Sequence, residues 1–169
     1  LNETVVPYKE FYGRNTEQMP LIIAEERMPF SVYDFMERRL NSEKSDWKDN
    51  YFDTGDAIAY HPDNKFKIVL DAQPLRNITS ESKLRNGALV LPDGMYEYLE
   101  GEEFTYNDVE KLVERELSQD EALQHLIWRV VARDPALLKE YVPKMFAEMK
   151  QRFDYDENMG IYLDSFDKT

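Results

Sequence analysis

Apolar residues recur along this chain with two different periods, and the change from one to the other divides it into a β-prone first part and a helical second part. Ser31, with Asp34 three residues on, can close a capping box, and Phe30 and Phe35 stand where a hydrophobic staple would place them. Tyr33, Met36 and Leu40 then share one helical face, so the pattern predicts a helix from Ser31 to about Leu40. Two β-prone pairs follow. Ala57 to Tyr60 and Phe66 to Leu70 flank His61-Pro62-Asp63-Asn64, while Ala88 to Leu91 and Met95 to Leu99 flank Pro92-Asp93-Gly94; both read as hairpins, near 57–70 and 88–99. The Pro- and Gly-dotted stretch from Leu1 to Pro20 predicts an extended arm, and Leu21 to Ala24 fits either the lead-in to the next helix or, the preferred reading, a short buried strand. Asn41 to Asn50 reads as a loop anchored by Trp47, and Gln73 to Gly87 as a long polar connection with room for a helical turn.

From Thr105 the period becomes helical. Thr105 with Asp108, and Phe104 with Val109, repeat the cap and staple, and Val109, Leu112, Val113 and Leu117 share a face. Ser118 with Glu121 forms a second capping box, ahead of Leu123, Leu126, Ile127, Val130 and Val131 at the spacing of a core-facing helix. Asp134-Pro135 opens a third helix, which Pro143 should kink or break; Ile161 to Leu163 is a candidate short strand. The expected class is α+β: a small, mainly antiparallel sheet with an N-terminal helix and a C-terminal helical group. The length of 169 residues fits one domain over 1–169, its natural subdivision being a sheet-containing part at 1–104 and a helical part at 105–169.

Charge narrows the partners. A formal net charge of -13, from 21 Lys+Arg against 34 Asp+Glu, opposes phosphate backbones and anionic lipid, so neither direct nucleic acid nor membrane is an expected partner. Nor does any apolar run approach the length that crosses a bilayer, and no basic segment followed by an apolar stretch stands at the N-terminus, which makes the cytoplasm the expected compartment. The sequence has no cysteine, so thiol nucleophiles, thiolate zinc sites and disulfides are excluded within it.

Candidate chemistry is sparse. The six glycines are scattered and form no nucleotide cradle, and two histidines with no nucleophile elbow give no hydrolase triad. Asp53, Asp56, His61, Asp63, Lys65 and Asp71 cluster in sequence, and Asp63-Asn64-Lys65 has the spacing of the acidic-x-Lys triplet of metal-dependent nucleases, although Pro62-Asp63-Asn64 reads better as a turn. Candidate catalytic residues are therefore His61, Asp56 and Asp71, and candidate ligands of a divalent metal are Asp53, Asp56 and Asp71, with Glu121 and His125 as a second pair one helical turn apart. No cofactor is expected beyond such a metal. The absence of catalytic motifs, together with 11 Tyr and 9 Phe, favours a non-enzymatic module with an acidic, aromatic-rich surface that binds another protein, a basic one by charge, or pairs with a second copy of itself. The alternative is a hydrolase or nuclease-like enzyme that uses a divalent metal.

Overall fold

The computed structural model describes residues 8–42, 52–109, 117–154 and 159. Helices and a small antiparallel sheet make up the fold, as expected for the α+β class. Two compact units divide the chain, one formed by residues 1–29 and 73–91, the other by 30–72 and 92–169.

The larger unit begins with α1, Val32–Asn41. Its capping box is complete, since the Asp34 amide donates to the Ser31 hydroxyl at 3.1 Å and the Ser31 amide donates back to the Asp34 carboxylate at 2.9 Å. Phe30 and Phe35 meet edge to face with ring centroids 5.5 Å apart, which is the expected staple. Strands β1, Ala57–His61, and β2, Lys65–Val69, form the first predicted hairpin. Asn64 at its turn has a φ of 56°, a left-handed conformation that Asn tolerates.

The partner on the other side of β2 is β3, Glu102–Thr105, an antiparallel strand that the sequence pattern hides because only Phe104 of its four residues is buried. Gly101 precedes it. A Cβ there would lie 2.2 Å from the Ile68 carbonyl oxygen, so the close approach of β2 and β3 requires glycine. Residues 106–109 turn helical directly after the strand, with both the amide and the hydroxyl of Thr105 donating to Asp108 at 3.0 and 2.8 Å.

One interior collects Met36, Phe66, Ile68, Phe104, Val109, Ile127, Val131, Leu138, Val142 and Phe146 from the helices and the sheet of this unit. Three C-terminal helices supply much of it: α2, Gln119–Gln124, α3, Leu126–Ala132, and α4, Pro135–Phe153, the last packed on α1, α2 and α3. The continuous helix expected from Leu123 to Val131 is interrupted at His125, whose extended backbone ends α2 and caps α3. Pro143 does not break α4, which runs 19 residues through it. The lost bond to the Lys139 carbonyl is offset by burial of Leu138, Tyr141, Val142 and Phe146 around it, and the Lys144 amine reaches the Leu40 carbonyl at 2.7 Å.

In the smaller unit residues 15–20 of the expected arm and the expected strand at 21–24 are instead a helix, α5, Asn15–Ala24, while residues 8–14 are neither helix nor strand. Pro20 falls at the sixth helical position and removes only one backbone donor, so the helix continues past it. It packs on a helical turn, α6, Gln73–Arg76, inside the long polar connection. The second expected hairpin, at 88–99, does not form. Ala88–Leu89 (β5) pairs backwards with Leu84–Arg85 (β4) across Asn86-Gly87, while Pro92-Asp93-Gly94 leads into a helical turn, α7, Met95–Tyr98, which belongs to the larger unit. Asn86 and Gly87 both have positive φ, 50° and 82°, as a two-residue hairpin turn of this hand demands. The expected Trp47 loop, the Leu112 and Val113 positions and the strand at 161–163 lie outside the described residues.

Gly101→Ala should lower stability by about 2 kcal/mol, because the added methyl group has backbone and no flexible side chain to displace. Thermal or urea unfolding checks this, with Gly87→Ala as a comparison, since a Cβ there meets nothing within 4 Å and only the φ is strained.

Candidate functional site

Asp56 lies just before β1 with a side chain only 4% exposed. Its two oxygens take four hydrogen bonds: from the two terminal nitrogens of Arg133 at 2.9 and 2.7 Å, from the Val32 amide at 2.9 Å and from the Asp71 amide at 2.9 Å. Each partner comes from a chain segment that must be placed accurately, namely the first residue of α1, the turn after β2 and the C-cap of α3. Burial by itself would raise the Asp56 pKa, but the Arg133 guanidinium and the two amides outweigh it and hold the carboxyl below its ordinary value. Asp71 stands 3.4 Å from the same guanidinium. Its backbone and that of Arg133 both have positive φ, 48° and 63°, so local strain accompanies the clamp.

Two of the carboxylates named as metal ligands thus meet, but on an arginine. Asp53 is exposed, and no group of three or more His, Asp or Glu side chains suited to a metal ion occurs among the described residues. Of the other pair, Glu121 reaches back to accept from the Ser118 amide at 3.2 Å as its capping box requires. His125 leaves the helix and accepts from the Ile127 amide through Nδ1 at 3.2 Å. That bond fixes the neutral tautomer with its proton on Nε2, and burial lowers the pKa of the ring, against a smaller upward pull from Glu121.

His61, at the end of β1, accepts from the Asp63 amide through Nδ1 at 3.1 Å, while Nε2 stands 3.7 Å from Glu97. Asp63 is in the turn, as the Pro62-Asp63-Asn64 reading implies, and its side chain is exposed. Alternation along the strands puts His61, Lys65, Lys67 and Glu103 on the sheet face opposite Phe66 and Phe104, and Tyr96 of α7 covers that face. The Tyr96 ring lies 4.8 Å from His61 and 4.5 Å from the Lys67 amine, which donates to the carbonyls of Tyr96 and Leu99 at 2.8 and 3.1 Å. The Tyr96 hydroxyl donates to Glu103 at 3.0 Å; burial first, and then the Glu103 carboxylate, raise its pKa, so it remains a neutral phenol. Sequence reasoning left Lys67 and Tyr96 outside the candidate set. Their link shows only once β3 and α7 replace the expected second hairpin.

A groove of about 580 Å³ is lined by Glu102, Glu103, Phe104, Asp108, Val109, Gln124, His125 and Leu126. Its carboxylates are partly committed, Asp108 to the Thr105 cap and Glu103 to Tyr96. No buried side-chain nitrogen or oxygen among the described residues lacks a hydrogen-bond partner. No family model, curated protein or solved structure matches the chain.

The smaller unit has the opposite character. Of its described large apolar side chains, Met19 and Ile78 are buried, Tyr8, Phe11, Ile22, Leu75, Leu89 and Leu91 are half-buried, and Tyr12, Leu21, Ile23, Met28, Leu84 and Val90 are exposed. Its six Lys and Arg balance six Asp and Glu, so the whole net charge of -13 falls to residues 30–72 and 92–169. Among the described residues no helix is long and apolar enough to cross a membrane.

Asp56→Ala strands Arg133 and two backbone amides, and should cost about 3 kcal/mol in urea unfolding. Because the folded pKa of Asp56 is depressed, its contribution is complete above the unfolded value, about 3.9, and is lost as pH falls through the lower folded value; the variant should therefore show a flatter acid limb. His125 is also depressed, and its neutral ring stabilises the fold fully above its unfolded value, about 6.5, with the gain lost as pH falls through the folded value. His125→Asn keeps a capping oxygen and should remove that pH dependence, as read from the melting temperature between about pH 7 and 5.

Proposed function

We propose that this chain is a non-enzymatic protein-binding module, acting in the cytoplasm, whose smaller unit supplies an apolar contact surface. The observation that carries the reading is the low burial of the described residues of 1–29 and 73–91, where two large apolar side chains are buried, six are half-buried and six are exposed. Singly exposed apolar residues are ordinary on a protein surface; six within the two segments of one small unit exceed that and suit a contact surface. Leu21 at 51% and Met28 at 59% exposed, on and just after α5, are the natural anchors, with Tyr12 ahead of the helix. The acidic larger unit suits a basic region of the same partner, or a basic second partner. The hydrolase alternative draws no comparable support, because Asp56 has its acceptor positions filled and Asp71 faces the same arginine.

A photocrosslinking residue at Leu21, with one at the exposed Lys139 of α4 as control, tests the reading in cells producing the full chain. Discrete protein adducts from Leu21 alone are expected, and the purified adduct partner should bind Leu21→Glu about tenfold more weakly at unchanged melting temperature. Equal labelling at both positions, or a melting temperature that Mg²⁺ or Mn²⁺ raises and Asp71→Ala returns to its starting value, would turn the case towards the metal-dependent enzyme.

A further inference from the structure

The hairpin of β4 and β5 is the most exposed ordered element of the smaller unit, and it carries a local charge opposite to that of the chain. Within residues 73–91 stand Arg76, Lys83 and Arg85 against Glu81 alone. The pairing of Leu84 with Leu89 and of Arg85 with Ala88 extends by the bond from the Val90 amide to the Lys83 carbonyl, 2.9 Å, which sets Val90 opposite Lys83. Side chains alternate across a strand pair, so Lys83, Arg85, Ala88 and Val90 share one face. All four are exposed, and the side chains of Lys83 and Arg85 form no ion pair among the described residues. Neither strand pairs with a third one among those residues, which leaves backbone donors and acceptors at the hairpin edges.

We infer that this face is a docking site for an extended, acidic segment of a partner protein, with carboxylates directed to Lys83 and Arg85 and an apolar side chain between them against Ala88 and Val90. Charge complementarity selects the occupant. Two exposed cations spaced two residues apart on a strand match carboxylates at alternate positions of an added strand, whose side chains repeat with the same period. A nucleic acid would need a broader basic surface than two side chains, and a basic peptide would be repelled at this face. A second copy of the chain is the rival occupant. The inference rests on the protein-binding reading but uses residues separate from Leu21, so one can fail while the other stands.

The full-length, ¹⁵N-labelled protein is titrated with three synthetic peptides in which Val alternates with Glu, Ser or Lys. The net charge of -13 favours the Lys peptide over the surface as a whole, so a preference for the Glu peptide at the amides of residues 83–90 points to the local cations. That preference is the expected result, and Lys83→Glu with Arg85→Glu should weaken the Glu peptide by about fivefold or more and strengthen the Lys peptide at the same amides. Both substitutions are exposed, and an unchanged melting temperature shows that the fold is kept. Tighter binding of the Lys peptide at residues 83–90 in the unaltered protein, or shifts confined to other residues, would overturn the inference. A dimer by light scattering that the double charge reversal abolishes would do so as well, by assigning the face to a second copy.

Discussion

The larger unit is organised around the carboxylate of Asp56. An isolated buried carboxylate is costly, and this one is tolerated because an arginine fork and two amides occupy its oxygens together. The same four bonds set where α1 begins, where the chain turns after β2 and where α3 ends. A hydrophobic interior of Phe66, Ile127 and Val142 supplies cohesion without direction, and the clamp supplies a fixed geometry to which that interior conforms. The left-handed backbones of Asp71 and Arg133 fit this view, since strain of that kind persists only where surrounding bonds hold it in place.

Local signals were legible wherever a short-range bond defines the element. Ser31 with Asp34, Ser118 with Glu121, and Asp134 with Pro135 all begin helices as their spacing implies, and Pro62-Asp63-Asn64 is a hairpin turn. What stayed hidden depends on tertiary neighbours. Pro20 and Pro143 looked like breakers because a single sequence does not display the packing that compensates for a missing backbone bond. Glu102 and Glu103 mask a strand whose pairing with β2 rests on Phe104 and on the absence of a side chain at Gly101. Asn86-Gly87, which lies inside the expected polar connection, is the turn that joins β4 to β5, whereas Pro92-Asp93-Gly94 opens a helical turn.

The candidate site was legible in part. That Asp56 and Asp71 converge could be suspected from their places at the two ends of one hairpin, but the group on which they converge, Arg133, comes from a distant helix end that no local pattern connects to them. The same distance separates a metal-binding interpretation of these acids from a structural one, because a carboxylate's role follows from the cation it meets. The division of charge between the two units was likewise invisible in the total, which averages a balanced unit with one that holds all the excess.

The separation in sequence between Asp56 and Arg133, 77 residues, also bears on the order of assembly. Closing so long a loop is entropically expensive, whereas β1 and β2 meet across a short turn. The hairpin can therefore form early and on its own, and the arginine fork can close only when α3 has been delivered to it. An interaction absent from the transition state would contribute little to the folding rate and much to the lifetime of the finished structure, and the long loop that it closes suits the clamp to the part of a latch against unfolding.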